Sequence, residues 1–186
     1  MNDFHLQFCA SPEWRQIVEE TILPMALRDV DLGDRVLEVG PGPGFTTDVL
    51  MTRVAHLTAV ELDADLAGAL SARMAGTNVD VVLGDATALE FPDRHFSGAA
   101  SFNMLHHIEA DEDQKRVFAE LARVLRPGAT LVAVDGIEND ATRAFHVDDI
   151  YNPIDPDDVR HWLSDAGFSH VDVGVYDMGW VGTATA

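Results

Sequence analysis

At 186 residues, 47% apolar and 8% aromatic, the chain has the size and composition of one globular core, outside the disordered and membrane-spanning classes. Thirty-two acidic side chains against twelve basic ones leave a net charge of −20, with Lys115 the sole lysine. A field of that sign repels phosphate backbones and disfavours nucleic acid as a partner.

The N-terminus, MNDFHLQF, lacks the basic-then-apolar pattern of a cleaved signal. No apolar run reaches the roughly eighteen residues of a membrane span. Cys9, the single cysteine, excludes an internal disulfide. A soluble, cytoplasmic protein of one domain over residues 1–186 is expected.

Ser11-Pro12 predicts a helix start, with Ser as N-cap and Pro at the first helical position. Trp14, Ile17, Val18, Leu23 and Leu27 continue it at a loose helical period, interrupted at Pro24, so residues 1–30 read as an N-terminal helical segment. Val36 to Val39 is the first strand, followed by a helix from Phe45 to Arg53. Leu57 to Glu61 is the second strand, Ala64 to Met74 a helix, Val79 to Leu83 the third strand and Gly98 to Phe102 the fourth.

Asp111-Glu112-Asp113 opens the next helix, Val117, Leu121 and Leu125 recur along it, and Arg123 and Arg126 close it, in keeping with the helix dipole. Pro127-Gly128 stops it before a fifth strand, Thr130 to Val134. Asp155-Pro156 opens a last helix with the stripe Val159, Trp162, Leu163, Ala166, ended by Gly167. Val171 to Val175 and Trp180 to Thr185 form a closing hairpin. Strands alternating with helices imply an α/β fold with a mostly parallel sheet covered on both faces.

The segment VLEVGPGPG, residues 36–44, runs from a buried strand into a glycine-rich loop. Its spacing is G-x-G-x-G, whereas the dinucleotide fingerprint places the third glycine three residues beyond the second, and the phosphate loop requires a lysine absent here. Pro41 and Pro43 remove two backbone donors that a pyrophosphate would use. Glu38 would repel a phosphate and attract an ammonium group. The expected ligand is therefore adenosyl with an attached amino acid. Glu61, about twenty residues after Gly40, ends the second strand where a carboxylate can accept from ribose hydroxyls. Leu62 can pack on an adenine face, and Asp85, in Gly84-Asp85-Ala86, can accept from the adenine amino group.

VLEVGPGPG, LTAVELD, VVLGDATALEF, SFNMLHHI and RVLRPGATL, taken together, resemble the successive motifs of class I S-adenosylmethionine-dependent methyltransferases, over roughly residues 10–175. The resemblance implies a Rossmann-like three-layer αβα sandwich with a seven-stranded sheet, one strand antiparallel. It implies S-adenosyl-L-methionine as cofactor, with S-adenosyl-L-homocysteine as product, bound at the carboxyl ends of the first strands. Carried over residue by residue, Glu38, Gly40 and Gly42 meet the methionine portion and Glu61 the ribose. Leu62 meets the adenine face, Asp85 and Ala86 its edge, and Asn103 the methyl end.

Methyl transfer from a sulfonium needs alignment and exclusion of water, and a base only for a protonated acceptor. Candidates for that base are His106, His107 and Tyr151. HHIEADED suggests a metal, but no second cluster supplies ligands, so no metal is expected. Residues 135–156 are polar and long enough for a lid or substrate loop, offering Asp135, His146 and Tyr151.

The front half also resembles the rRNA adenine dimethyltransferases, but Ser101-Phe102-Asn103-Met104 lacks their Asn-Leu-Pro-Tyr type motif. The expectation is a methyltransferase acting on an unidentified small-molecule acceptor. A non-catalytic cofactor-binding or scaffold protein and an RNA adenine methyltransferase are the alternatives. The sequence is silent on oligomeric state.

Overall fold

The computed structural model describes residues 2–186; Met1, at the head of the 1–30 segment, lies outside them. Strand β1 (Arg35–Val39) is followed by β2 (His56–Glu61), β3 (Val79–Leu83), β4 (Phe96–Phe102), β5 (Leu125–Gly136), β6 (Ser169–Tyr176) and β7 (Gly179–Thr185). They form one seven-stranded sheet in the order β3-β2-β1-β4-β5-β7-β6. β7 runs antiparallel to both its neighbours, and every other pairing is parallel. With helices on both faces, this is the Rossmann-like αβα sandwich that the sequence implies. No helix of the described residues is long and apolar enough to cross a membrane.

The 1–30 helical segment opens with α1 (Asp3–Cys9), ahead of the start marked by Ser11-Pro12; the Asn2 side chain caps it by accepting from His5 N–H at 2.8 Å. α2 (Pro12–Ile17) begins as Ser11-Pro12 predicts, the Ser11 hydroxyl oxygen accepting from Trp14 N–H. The expected interruption at Pro24 does not occur. A π turn, Val18–Ile22, leads directly into α3 (Leu23–Ala26). The wider turn absorbs the donor Pro24 lacks and relieves its ring of the carbonyl one turn earlier.

Along the strands, alternate residues feed two cores. On one face Val36, Ala100, Val132 and Val134 pack with Val18 and Ile22, with Leu50 of α4 (Phe45–Leu50) and with Leu70 and Met74 of α5 (Ala64–Met74). On the other, Leu37, Val39, Ala99, Leu131 and Ala133 pack with Val117, Phe118 and Leu121 of α6 (Asp111–Val124). Val159 and Leu163 of α8 (Pro156–Asp165) complete that layer. Each fully buried aliphatic or aromatic side chain contributes about 1.5–3 kcal/mol, so the two cores supply the main stabilisation.

Two boundaries differ from expectation. α4 stops at Leu50 because Thr52 and Arg53 donate to Val49 and Leu50, three residues back, tightening the last turn. α6 stops at Val124, and β5 begins at Leu125 by pairing with Phe96. Arg126, Pro127 and Gly128 are exposed, so the proline costs no buried ladder bond.

Residues 135–156 are more ordered than a polar loop. They contain α7 (Asp140–Phe145), with a reciprocal capping box between Asn139 and Thr142. Buried Gln114 of α6 donates from Nε2 to the carbonyls of Leu105 (2.9 Å) and Asn152 (2.7 Å), and Asn152 N–H donates to His106 O at 2.8 Å. These bonds fasten the segment to the connection between β4 and α6.

Candidate active site

The carboxyl ends of β1, β2, β4 and β5 lie on one edge of the sheet, where a parallel arrangement gathers its loops. Gly40, Gly42 and Gly44 all have positive φ, at 68°, 54° and 86°. Gly40 N–H donates to Val60 O at 2.9 Å, and a Cβ on Gly40 would overlap the Met104 side chain. A Cβ on Gly42, by contrast, would meet nothing within 4 Å, so this glycine presents bare backbone to open space. Arg73 of α5 steadies the loop, donating from Nη2 to the carbonyls of Pro43 (2.9 Å) and Gly44 (3.2 Å) and from Nη1 to Asp48.

Beneath the loop, Glu38 is buried, and its two oxygens accept from the hydroxyls of Thr46 and of Thr47, the latter at 2.6 Å. Burial pushes its carboxyl up to about 7, against the two hydroxyl bonds that favour the charged form. The sequence reading missed this pairing, although two threonines opening the helix after the loop were its signal.

Glu61 reaches across from β2. Its Oε2 accepts from Gly42 N–H at 2.9 Å and its Oε1 from Asp63 N–H at 3.0 Å. Glu61 is 7% exposed, while Leu62 beside it is 71% exposed, a large apolar side chain at the strand end. Asp85 is exposed and accepts from Thr87 N–H and Oγ1, both at 2.8 Å; Ala86 follows it, half-buried. Asn103 follows β4 in the left-handed region at φ 52°, its N–H donating to Val134 O of β5 at 2.8 Å.

The open backbone at Gly42, the exposed Leu62 and the carboxylate of Glu61 suit a ligand with a polar amino-acid end, vicinal hydroxyls and a flat apolar ring. S-adenosyl-L-methionine has these three parts. The residues present fit it.

Behind Asn103, His106 and His107 end the one-turn 3₁₀ helix Leu105–His107. His106 is buried, with Nδ1–H donating to Asp135 and its backbone N–H to the same carboxylate at 3.1 Å. Asp135 is wholly buried at the end of β5. Tyr151 does not reach Asn103 by any hydrogen bond among the described residues. Its hydroxyl donates to Thr142 Oγ1 at 2.7 Å, its ring stacks on His146 at 4.2 Å, and burial raises its ionisation above the ordinary phenol range.

The second ligand group that HHIEADED lacks locally comes from elsewhere in the chain. His5 of α1 and His146, just after α7, close on His106 and His107, with ring centroids of His5 at 4.8 Å from His107 and 4.4 Å from His146. The fold thus gathers four histidines where the sequence offers no second cluster.

A family profile described as "Methyltransferase domain" matches residues 37–133, from within β1 through most of β5. The chain is 30% identical over 152 residues to the O-methyltransferase cnsE of Penicillium expansum, covering 76% of this chain and 54% of that protein. It is 35% identical over 101 residues to a probable ribosomal RNA small subunit methyltransferase A of Methanothermobacter thermautotrophicus, covering 50% of this chain and 36% of that protein. The chain thus spans about a third to a half of these curated relatives. Among solved structures, a SAM-dependent methyltransferase from Archaeoglobus fulgidus superposes with a TM-score of 0.76 at 14% identity, covering 92% of this chain and 94% of that one.

Proposed function

This chain belongs to the methyltransferase-domain family, in its class I S-adenosylmethionine-dependent form, and from that premise we propose that it methylates a small-molecule acceptor. S-adenosyl-L-methionine, when bound, would supply an electrophilic methyl group on its sulfonium, with S-adenosyl-L-homocysteine as the product. Glu61 holds the ribose hydroxyls, Leu62 packs against one adenine face, and Asp85 with Ala86 meets the adenine edge. Gly40 and Gly42 let the backbone approach the methionine portion. Glu38 acts through Thr46 and Thr47 as a positioning residue beneath the loop, its oxygens being engaged there.

The acceptor stands against the carboxyl ends of β4 and β5, where Asn103, His106, His107 and Tyr151 form the wall. α1 and α7 cover that edge, Phe4 meeting Phe145 at 5.2 Å and Phe8 meeting it at 5.0 Å. Such a cover excludes water and fixes the approach of a compact acceptor, the two demands of displacement at a sulfonium. The net charge of −20 supports a small molecule over RNA.

The observation that carries the reading is the bond from Gly42 N–H to the Glu61 carboxylate, which joins the two halves of the cofactor cradle. Incubation with methyl-labelled S-adenosyl-L-methionine and a fractionated cell extract tests it. Label is expected in the small-molecule fraction. Label in RNA or protein alone contradicts the acceptor class, and no transfer despite cofactor binding returns the scaffold alternative.

A further inference from the structure

We propose that His5, His106, His107 and His146 form a binding site for a late first-row divalent transition ion such as zinc. One ring nitrogen from each of the four lies within 4.8 Å of the other three. Ion binding can be tested without methyl transfer, although His106 and His107 also stand in the proposed acceptor wall.

Three of the rings are set to offer the same nitrogen. His5 Nδ1–H donates to Asp149 at 3.1 Å, His106 Nδ1–H to Asp135, and His146 Nδ1–H to Thr142 O at 2.7 Å. Carboxylate and carbonyl acceptors require the proton on Nδ1, which leaves the Nε2 lone pair facing the cluster. An imidazole held from behind by a carboxylate or carbonyl is the usual support of a metal-binding histidine.

The cluster is also incomplete by itself. His106 Nε2, His107 Nδ1 and His146 Nε2 are buried without a hydrogen-bond partner. Each such atom is destabilising unless something satisfies it. A single cation takes all these lone pairs at once.

The donor set decides the class of ion. Four nitrogens suit zinc, copper, nickel or cobalt, whereas calcium and magnesium require oxygen. A tetrahedral site with Zn–N of about 2.0–2.1 Å places its ligands about 3.3–3.4 Å apart, so the rings draw in by roughly 1 Å on binding. His5 and His146 belong to α1 and to the segment after α7, which lie outside the sheet and can make that movement. The ion then ties both covering segments to β4 and β5 beside Asn103.

The test uses the full chain, stripped with a chelator and titrated with zinc against a chromophoric competitor. One ion per chain at submicromolar affinity is expected, and cobalt(II) should give visible d–d absorption. His107→Ala and His146→Ala should each weaken binding by about 100-fold or more, and Asp135→Asn, which turns the His106 tautomer, by about 10–100-fold. His161→Ala, exposed on α8, should bind as the unmodified chain does. Circular dichroism checks that each variant is folded. The proposal is overturned if the stripped chain takes up neither zinc nor cobalt below millimolar concentration. It is equally overturned if the folded His107→Ala/His146→Ala double variant keeps the original affinity.

Discussion

Gly42 and Glu61 are joined by a 2.9 Å hydrogen bond from backbone N–H to carboxylate, linking the loop after β1 to the end of β2. The carboxylate retains acceptor capacity beyond the two N–H groups of Gly42 and Asp63. Glu61→Ala should therefore weaken S-adenosyl-L-homocysteine binding by about 1.5–3 kcal/mol, the value of charge-assisted hydrogen bonds, or about 10- to 150-fold. Titration calorimetry reads this directly, and an unchanged dissociation constant would remove Glu61 from the ribose.

Gly40 and Gly42 should respond differently to alanine. Both have positive φ, a left-handed conformation that costs an L-residue about 1–2 kcal/mol. Gly40→Ala also drives a methyl into Met104, while Gly42→Ala meets empty space. Thermal denaturation should show the larger loss for Gly40→Ala, with part recovered by adding Met104→Ala. Gly42→Ala should instead lose cofactor affinity out of proportion to its stability. Equal stability losses would mean that Met104 does not pack as described.

Glu38 makes stability depend on pH. Its folded ionisation lies at about 7 against an ordinary value of 4.5, because burial outweighs the bonds from Thr46 and Thr47. Between those two values the folded chain keeps a proton that the unfolded chain has lost, so this group's contribution falls as pH rises. The full penalty, about 3 kcal/mol, is reached above about pH 7. Glu38→Gln removes the titration and keeps an acceptor and a donor for the two hydroxyls. Urea unfolding at pH 5 and pH 8 should show the variant gaining on the unmodified chain at the higher pH. A constant difference between the two proteins would contradict a carboxyl titrating in that window.

The strand ends that carry the proposed cofactor residues were legible because they are local. Val36 to Val39, the three loop glycines, Glu61 and Asp85 each sit at a strand end, and a strand end can be read from a short apolar run and the turn residues after it. The parallel sheet could be read the same way, from strands alternating with helices. The histidine cluster could not. His5 lies on a helix too short to show a period, and His146 in a polar stretch whose docking depends on Gln114 and Asn152, side chains distant in sequence. The π turn at Val18–Ile22 was equally hidden, since a proline in a helical pattern signals a break and a wider turn leaves no residue signature. At the junction of α6 and β5, pairing of Leu125 with Phe96 overrode the Pro-Gly stop.

Titration calorimetry of the full chain with S-adenosyl-L-methionine and, separately, with NAD tests the central claim most directly. The glycine spacing, the proline-locked loop and Glu61 predict one S-adenosyl-L-methionine per chain at micromolar affinity and no heat from NAD. Micromolar binding of NAD with none of S-adenosyl-L-methionine would contradict the account.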